Sequence, residues 1–147
     1  MQLHMMPDKA KDDGAVCLDG TAAGFYYSPA TNATAAKSWE IYFQGGGWCY
    51  DKEDCWGRSS TGLGSSKSWA PTSSIGGIMS DDCTANPDFC DFNRVHMPYC
   101  DGNSFSGNRD DAVVVNGKPL YFRGRRVMDA VLESLLPLGL AQAEPVP

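Results

Sequence analysis

The sequence is most restrictive in what it lacks. Across 147 residues no apolar run is long enough to span a bilayer, and the start MQLHMMPDKAKDDG has no continuous hydrophobic stretch of the signal-peptide kind. Basic residues are sparse: 12 Lys and Arg stand against 18 Asp and Glu, a net charge of −6. The one basic run, Arg123, Arg125 and Arg126, fits within a single helical turn and reads as a solvated face. Phosphate neutralisation needs clustered cations, so nucleic acid is not an expected partner, and neither is a membrane. There are two histidines, His4 and His96, and no Cys-x-x-Cys pair, which removes the usual zinc frameworks. The acid pairs Asp12-Asp13, Asp81-Asp82 and Asp110-Asp111 lack the glycine and terminal glutamate of a calcium loop. No metal or cofactor is expected.

What is present is the composition of one folded domain, with 42% hydrophobic and 20% charged residues. Six cysteines, at 17, 49, 55, 83, 90 and 100, favour disulfides and an oxidising compartment. The sequon Asn32-Ala33-Thr34 agrees and makes Asn32 a candidate glycosylation site. Secretion is therefore the expected localisation, although the chain supplies no signal peptide. Residues 1–14 are polar and read as a disordered or non-native tail, and 141–147 as an irregular one.

Between these tails the pattern is that of an α/β fold. Residues 16–27 alternate short apolar pieces around the turn Asp19-Gly20-Thr21, as a hairpin or two short strands would. Residues 38–43, SWEIYF, form an aromatic and branched strand that stops at Gly45-Gly46-Gly47. Residues 51–74 read as a long irregular segment, and 93–99 as a second buried strand. Residues 122–136 form the clearest helix: Val127, Val131 and Leu135 share a face flanked by Met128, Leu132 and Leu136, and Pro137 and Gly139 stop it. Strands that end in loops, followed by a one-faced helix, fit an α/β sheet.

The glycine run has three readings. It is a plain tight turn, a phosphate cradle, or an oxyanion hole whose backbone N–H groups meet a tetrahedral intermediate. Neither phosphate-loop pattern is present, which disfavours the second. Local grammar leaves the first and third open.

Four blocks decide more. AVCLDGT (15–21), FQGGGWCYDKEDC (43–55), NPDFCDFNRVHMPYCDGNSFSG (86–107) and FRGRRVMDAVLESLL (122–136) resemble the pectin acetylesterase/Notum family of carboxylesterases, in family order and over most of 15–140. Gly-Gly-Gly-Trp-Cys is similar to the plant pectin acetylesterase branch, whereas Notum has Gly-Gly-Trp-Tyr-Cys there. The resemblance implies an α/β-hydrolase fold, a Ser-His-Asp triad, and acetylated, pectin-like polysaccharide as substrate of a monomeric enzyme. It places the oxyanion-hole N–H groups at Gly46 and Gly47 and a pocket wall at Trp48, for which core packing is the competing reading. Asp101, Asn103 and Ser104, after the second strand, would line the acyl or sugar pocket. It also implies the pairs Cys17–Cys100 and Cys49–Cys55, which leaves Cys83 and Cys90 for each other.

Two departures matter. Gln44 stands where the family has Glu before the glycines. No Gly-x-Ser-x-Gly nucleophile elbow occurs anywhere; Gly102-Asn103-Ser104-Phe105-Ser106 misses its last glycine. Neither His4 nor His96 matches the catalytic histidine. The expectation is thus the N-terminal part of an α/β-hydrolase-like domain (15–140), truncated before the nucleophile strand and inactive alone. The alternatives are a non-catalytic carbohydrate binder using Trp48, Trp56 and Trp69, a Notum-like lipid or protein deacylase fragment, or a fragment that does not fold stably.

Overall fold

A computed structural model describes residues 1–145. Its centre is a four-stranded sheet in the order β1-β2-β4-β3, formed by β1 (Gln2–Met5), β2 (Gly24–Ser28), β3 (Trp39–Phe43) and β4 (Asn93–Met97). β1 and β4 each run antiparallel to β2, while β3 and β4 are parallel, with Trp39 opposite Asn93 and Phe43 opposite Met97. β4 lies between two partners and is buried at every position, as expected of a buried strand, although Asn93, Arg94 and His96 are polar. Asn93 anchors the crossover. Its amide donates to the carbonyls of Ala36 and Ser38, and its oxygen accepts from Tyr27 Oη and the Ala30 N–H.

The two sheet faces differ in chemistry because strand side chains alternate. On one face Phe25, Val95 and Met97 pack with Val127, Ala130, Val131 and Leu135 of helix α3 (Gly124–Leu135), and Trp39 and Ile41 join them. Each fully buried Val or Leu contributes about 1.5–3 kcal/mol there. The other face carries Tyr26, Arg94, His96, Glu40 and Tyr42. His96 is stacked on Tyr26 at 5.5 Å and tilted against Tyr42 at 5.7 Å, and neither ring nitrogen has a protein partner among the described residues. Burial pushes its pKa down, and burial pushes the Glu40 carboxyl up against the opposing charge of Arg94.

The N-terminal segment is a correction. Residues 1–14 are not a frayed tail: they supply β1 and the short helix α1 (Pro7–Asp12). The reason is backbone pairing on both sides. β1 adds to β2, and its other edge meets residues 71–73 through Leu3 N–H on Pro71 and Ser73 N–H on Met1. Met6 is buried behind it, and Lys9 bonds Glu133 of α3 at 2.6 Å. At the other end, Leu140–Gln142 makes a 3-10 turn, and residues 146 and 147 of the expected irregular tail lie outside the described residues.

A helix arises within the expected irregular segment 51–74, and a hairpin arises where no element was expected. Helix α2 (Lys52–Arg58) begins at Asp51, whose carboxylate accepts from the Asp54 N–H at 2.8 Å. Strands β5 (Val113–Val115) and β6 (Lys118–Leu120) form a hairpin closed by Asn116 and Gly117, both at positive φ. Leu18, Cys55, Val115 and Leu120 make a second, smaller core that joins α2 to this hairpin.

Disulfides Cys17–Cys100, Cys49–Cys55 and Cys83–Cys90 tie the framework. The first closes a span of 83 residues. Restricting the unfolded chain to that extent stabilises the fold by about 4.5 kcal/mol in the loop-entropy account.

Candidate active site

The site lies where the parallel strands β3 and β4 end. The Gln44 N–H still bonds the Met97 carbonyl, and its side-chain oxygen accepts from the Tyr99 N–H at 3.0 Å. Gln44 at this place therefore knits the two strand ends together. Cys49 re-enters the bonded framework through Gly102, 3.0 Å away. Between them, among the described residues, the N–H groups of Gly45, Gly46, Gly47 and Trp48 meet no acceptor. All four residues are exposed, so these donors are open to water or a ligand.

Two of the glycines are required by different constraints. A Cβ on Gly46 would stand 2.8 Å from the Tyr99 ring and 3.1 Å from Leu63, so the backbone passes too close for any side chain. Gly47 has φ +68, a conformation that side chains resist. Gly45 has open space around it.

The carbonyls of the loop are held where the donors are free. Arg58, the last residue of α2, donates through Nη1 to Gly47 O at 2.6 Å and Gly46 O at 3.3 Å, and through Nη2 to Trp48 O at 3.4 Å. Tyr99 Oη adds a bond to Gly47 O at 2.9 Å and accepts from the Ser104 N–H at 3.1 Å. In a trans peptide the C=O and the next N–H point in opposite directions. Holding Gly46 O and Gly47 O on the Arg58 side therefore turns the N–H groups of Gly47 and Trp48 to the other side. The Gly46 N–H belongs to the preceding peptide, which no such bond holds.

The remaining candidates separate into surface and support. Trp48 is 69% exposed, so it is not packed in the core; its indole donates to Ser104 Oγ at 2.7 Å. Ser104 lines a depression of about 320 Å³ with Phe43, Gln44, Gly45, Phe105 and Met128. Asn103 is exposed. Asp101 corrects the expectation of a pocket residue. It is 1% exposed, and its carboxylate accepts from the N–H groups of Phe105 at 3.0 Å and Asn103 at 3.2 Å. Burial pushes its pKa up, while those bonds and the Arg58 charge oppose the rise. A short carboxylate after a strand end folds back on its own turn, and here it holds Ser104 and Phe105 at positive φ.

Trp69 also departs from its expected role: it packs against the main core and donates to Gly62 O. Trp56 is 40% exposed. Asn32 is exposed, and its side-chain oxygen caps a short 3-10 turn through the Ala35 N–H. Arg58 and Tyr99 were not anticipated as site residues. The first is invisible without α2, and the second reads simply as a strand aromatic.

A mixed sheet with a parallel pair, a helix on one face and an open donor loop at the strand ends defines an α/β fold. The sequence model of the family described as Pectinacetylesterase matches residues 1–146, and the chain belongs to that family. Pectin acetylesterase 5 of Arabidopsis thaliana is 38% identical over 135 residues, covering 92% of this chain and 31% of that protein. The palmitoleoyl-protein carboxylesterase NOTUM of Schmidtea mediterranea is 37% identical over 121 residues, 81% of this chain and 22% of that protein. The solved structure of the Wnt deacylase Notum from Drosophila superposes with a TM-score of 0.84 at 28% identity, over 97% of this chain and 40% of that one. The chain thus spans about a third of the length of the plant relatives. Plant and animal proteins both align, which supports the carboxylesterase superfamily without choosing a branch.

Proposed function

We propose that this chain forms the oxyanion-receiving part of a carboxylic-ester hydrolase that removes acetyl groups from a pectin-like polysaccharide. The observation that carries the reading is the run of four free N–H groups at Gly45–Trp48 beside carbonyls that are already bound. When a nucleophile attacks an ester, the carbonyl oxygen takes on negative charge, and each prealigned N–H lowers the barrier by about 3–4 kcal/mol. Gly46 and Gly47 let the substrate carbonyl approach, and the aimed donors are Gly47 and Trp48. The exposed ring of Trp48 and the depression at Ser104 flank that point. Asn103 stands on the same loop as a candidate sugar contact.

A Ser-His-Asp triad would complete the reaction through an acyl-enzyme. These 147 residues contain no Gly-x-Ser-x-Gly, so the N-terminal portion of such an enzyme is the reading we favour, and it predicts negligible turnover for the chain on its own. The Gly-Gly-Gly-Trp-Cys order favours a plant-type acetylesterase over a Notum-like deacylase. The three disulfides and the exposed Asn32 sequon favour a secreted, glycosylated protein. Among the described residues no helix is long and apolar enough to cross a membrane.

Hydrolysis of an aryl acetate tests the reading. Purified chain should give no saturable rate, and a chimera in which residues 15–140 replace the matching segment of a plant pectin acetylesterase should be active. An inactive but folded chimera would count against it. A non-catalytic sugar binder is the second reading, favoured by the exposure of Trp48 and Trp56. It requires tryptophan fluorescence to respond to acetylated pectin oligosaccharides.

A further inference from the structure

We infer that Arg58 is a positioning residue for the ester-binding loop: its guanidinium sets which backbone N–H groups face the substrate. The inference rests on the oxyanion reading of the glycine segment and identifies what fixes that segment's polarity.

A glycine-rich strand end has no side chains to hold it, and each glycine has wide backbone freedom. Peptide planes in such a loop can rotate with little steric resistance, and a half-turn of the plane exchanges its N–H for its C=O. At this place the exchange matters, because an oxyanion is stabilised by donors and repelled by a carbonyl. Something must choose between the two orientations. The sequence between Gln44 and Cys49 cannot, since neither neighbouring ladder reaches the intervening peptides.

Arg58 can. Its planar fork bonds the carbonyls of Gly46, Gly47 and Trp48, three in succession. A guanidinium donates in fixed directions and accepts nothing, so it holds carbonyls and excludes N–H groups from its side. The arginine is itself anchored. It ends α2, which is capped by Asp51 and joined to the loop exit by Cys49–Cys55. Cys55 of that helix packs with Leu18 and the hairpin residues Val115 and Leu120. The disulfide fixes where the helix stands, and the arginine converts that placement into peptide-plane orientation. A lysine at this position would keep the charge but present a point donor on a flexible stem, without a fork that spans three carbonyls.

The test uses the chain labelled with ¹⁵N and acetate as the probe, because acetate is small, anionic and the product of the proposed reaction. Titration of the wild-type chain should shift the Gly47 and Trp48 amide signals saturably. Arg58→Met should weaken that response by about fivefold or more and displace those signals, while the Val95 and Val131 amides stay in place. Arg58→Lys should recover part of the response. A folded Arg58→Met chain that titrates like the wild type would overturn the positioning role and leave the oxyanion reading standing. A wild-type loop that does not respond to acetate would overturn the oxyanion reading itself. If the methionine variant does not fold, Arg58→Lys carries the comparison, and wild-type behaviour in it would overturn the requirement for the fork.

Discussion

The Tyr99 phenol donates to the Gly47 carbonyl at 2.9 Å and accepts from the Ser104 N–H at 3.1 Å, so one buried hydroxyl couples the two loops that flank the site. Tyr99 is 1% exposed, and its ring also excludes any side chain at Gly46. Tyr99→Phe keeps the ring and removes only the coupling. It should cost about 1–2 kcal/mol in urea unfolding and should blue-shift or quench the exposed Trp48 differently from wild type. An unchanged unfolding midpoint with unchanged fluorescence would show that the loops are held independently.

The glycines should not be equivalent. Gly46→Ala must displace Tyr99 or Leu63 and should destabilise by about 1–3 kcal/mol. Gly45→Ala meets nothing within 4 Å and has no positive φ, so it should melt within about 0.5 kcal/mol of wild type. Equal melting of the two variants would contradict the close approach at Gly46.

Acid sensitivity should trace in part to His96. Its folded pKa lies below the ordinary 6.5 because burial disfavours the imidazolium. Between that lowered value and 6.5 the unfolded chain binds the extra proton, so stability is full above 6.5 and falls as pH drops through this window. His96→Phe preserves the aromatic stack with Tyr26 and Tyr42 and removes two unpartnered nitrogens. The variant should lose this part of the acid limb in melts between pH 7 and 5. A slope identical to wild type would place the titration elsewhere.

The crosslinks should also rank by span. Replacing Cys17 and Cys100 together by serine should cost about 4.5 kcal/mol, and replacing Cys83 and Cys90 about 2.5 kcal/mol, from loop entropy alone. Calorimetry on the two double variants compares them, and a larger loss at Cys83–Cys90 would mean that the local loop contributes more than its length.

How far the sequence could be read depended on which forces act within a short window. The α3 face was legible because Val127, Val131 and Leu135 repeat with the helical period, and all three are buried. β3 was legible because aromatic and branched residues cluster there, whereas β4 carries only Val95 of that kind among Asn93, Arg94 and His96. α2 was missed because KEDCWGR has almost no apolar face; its signals are the Asp51 cap and the acids of its first turn. The β5–β6 hairpin was missed although Asn116-Gly117 is its turn signal. β1 could not be seen at all, since its order comes from partners at residues 24–27 and 71–73. The glycine loop was recognisable through its likeness to a family. Its polarity was not, because Arg58 reaches the loop across a helix and Tyr99 across a strand.

Cys17–Cys100 has one more consequence, which concerns covalent connectivity. Much of the irregular chain, including residues 59–76 and the Cys83–Cys90 loop, lies between these two cysteines. A protease that cuts there divides the polypeptide without dividing the molecule. The nicked protein should migrate as one band until it is reduced and as two afterwards, with β1, β2 and β3 on one piece and β4 and α3 on the other.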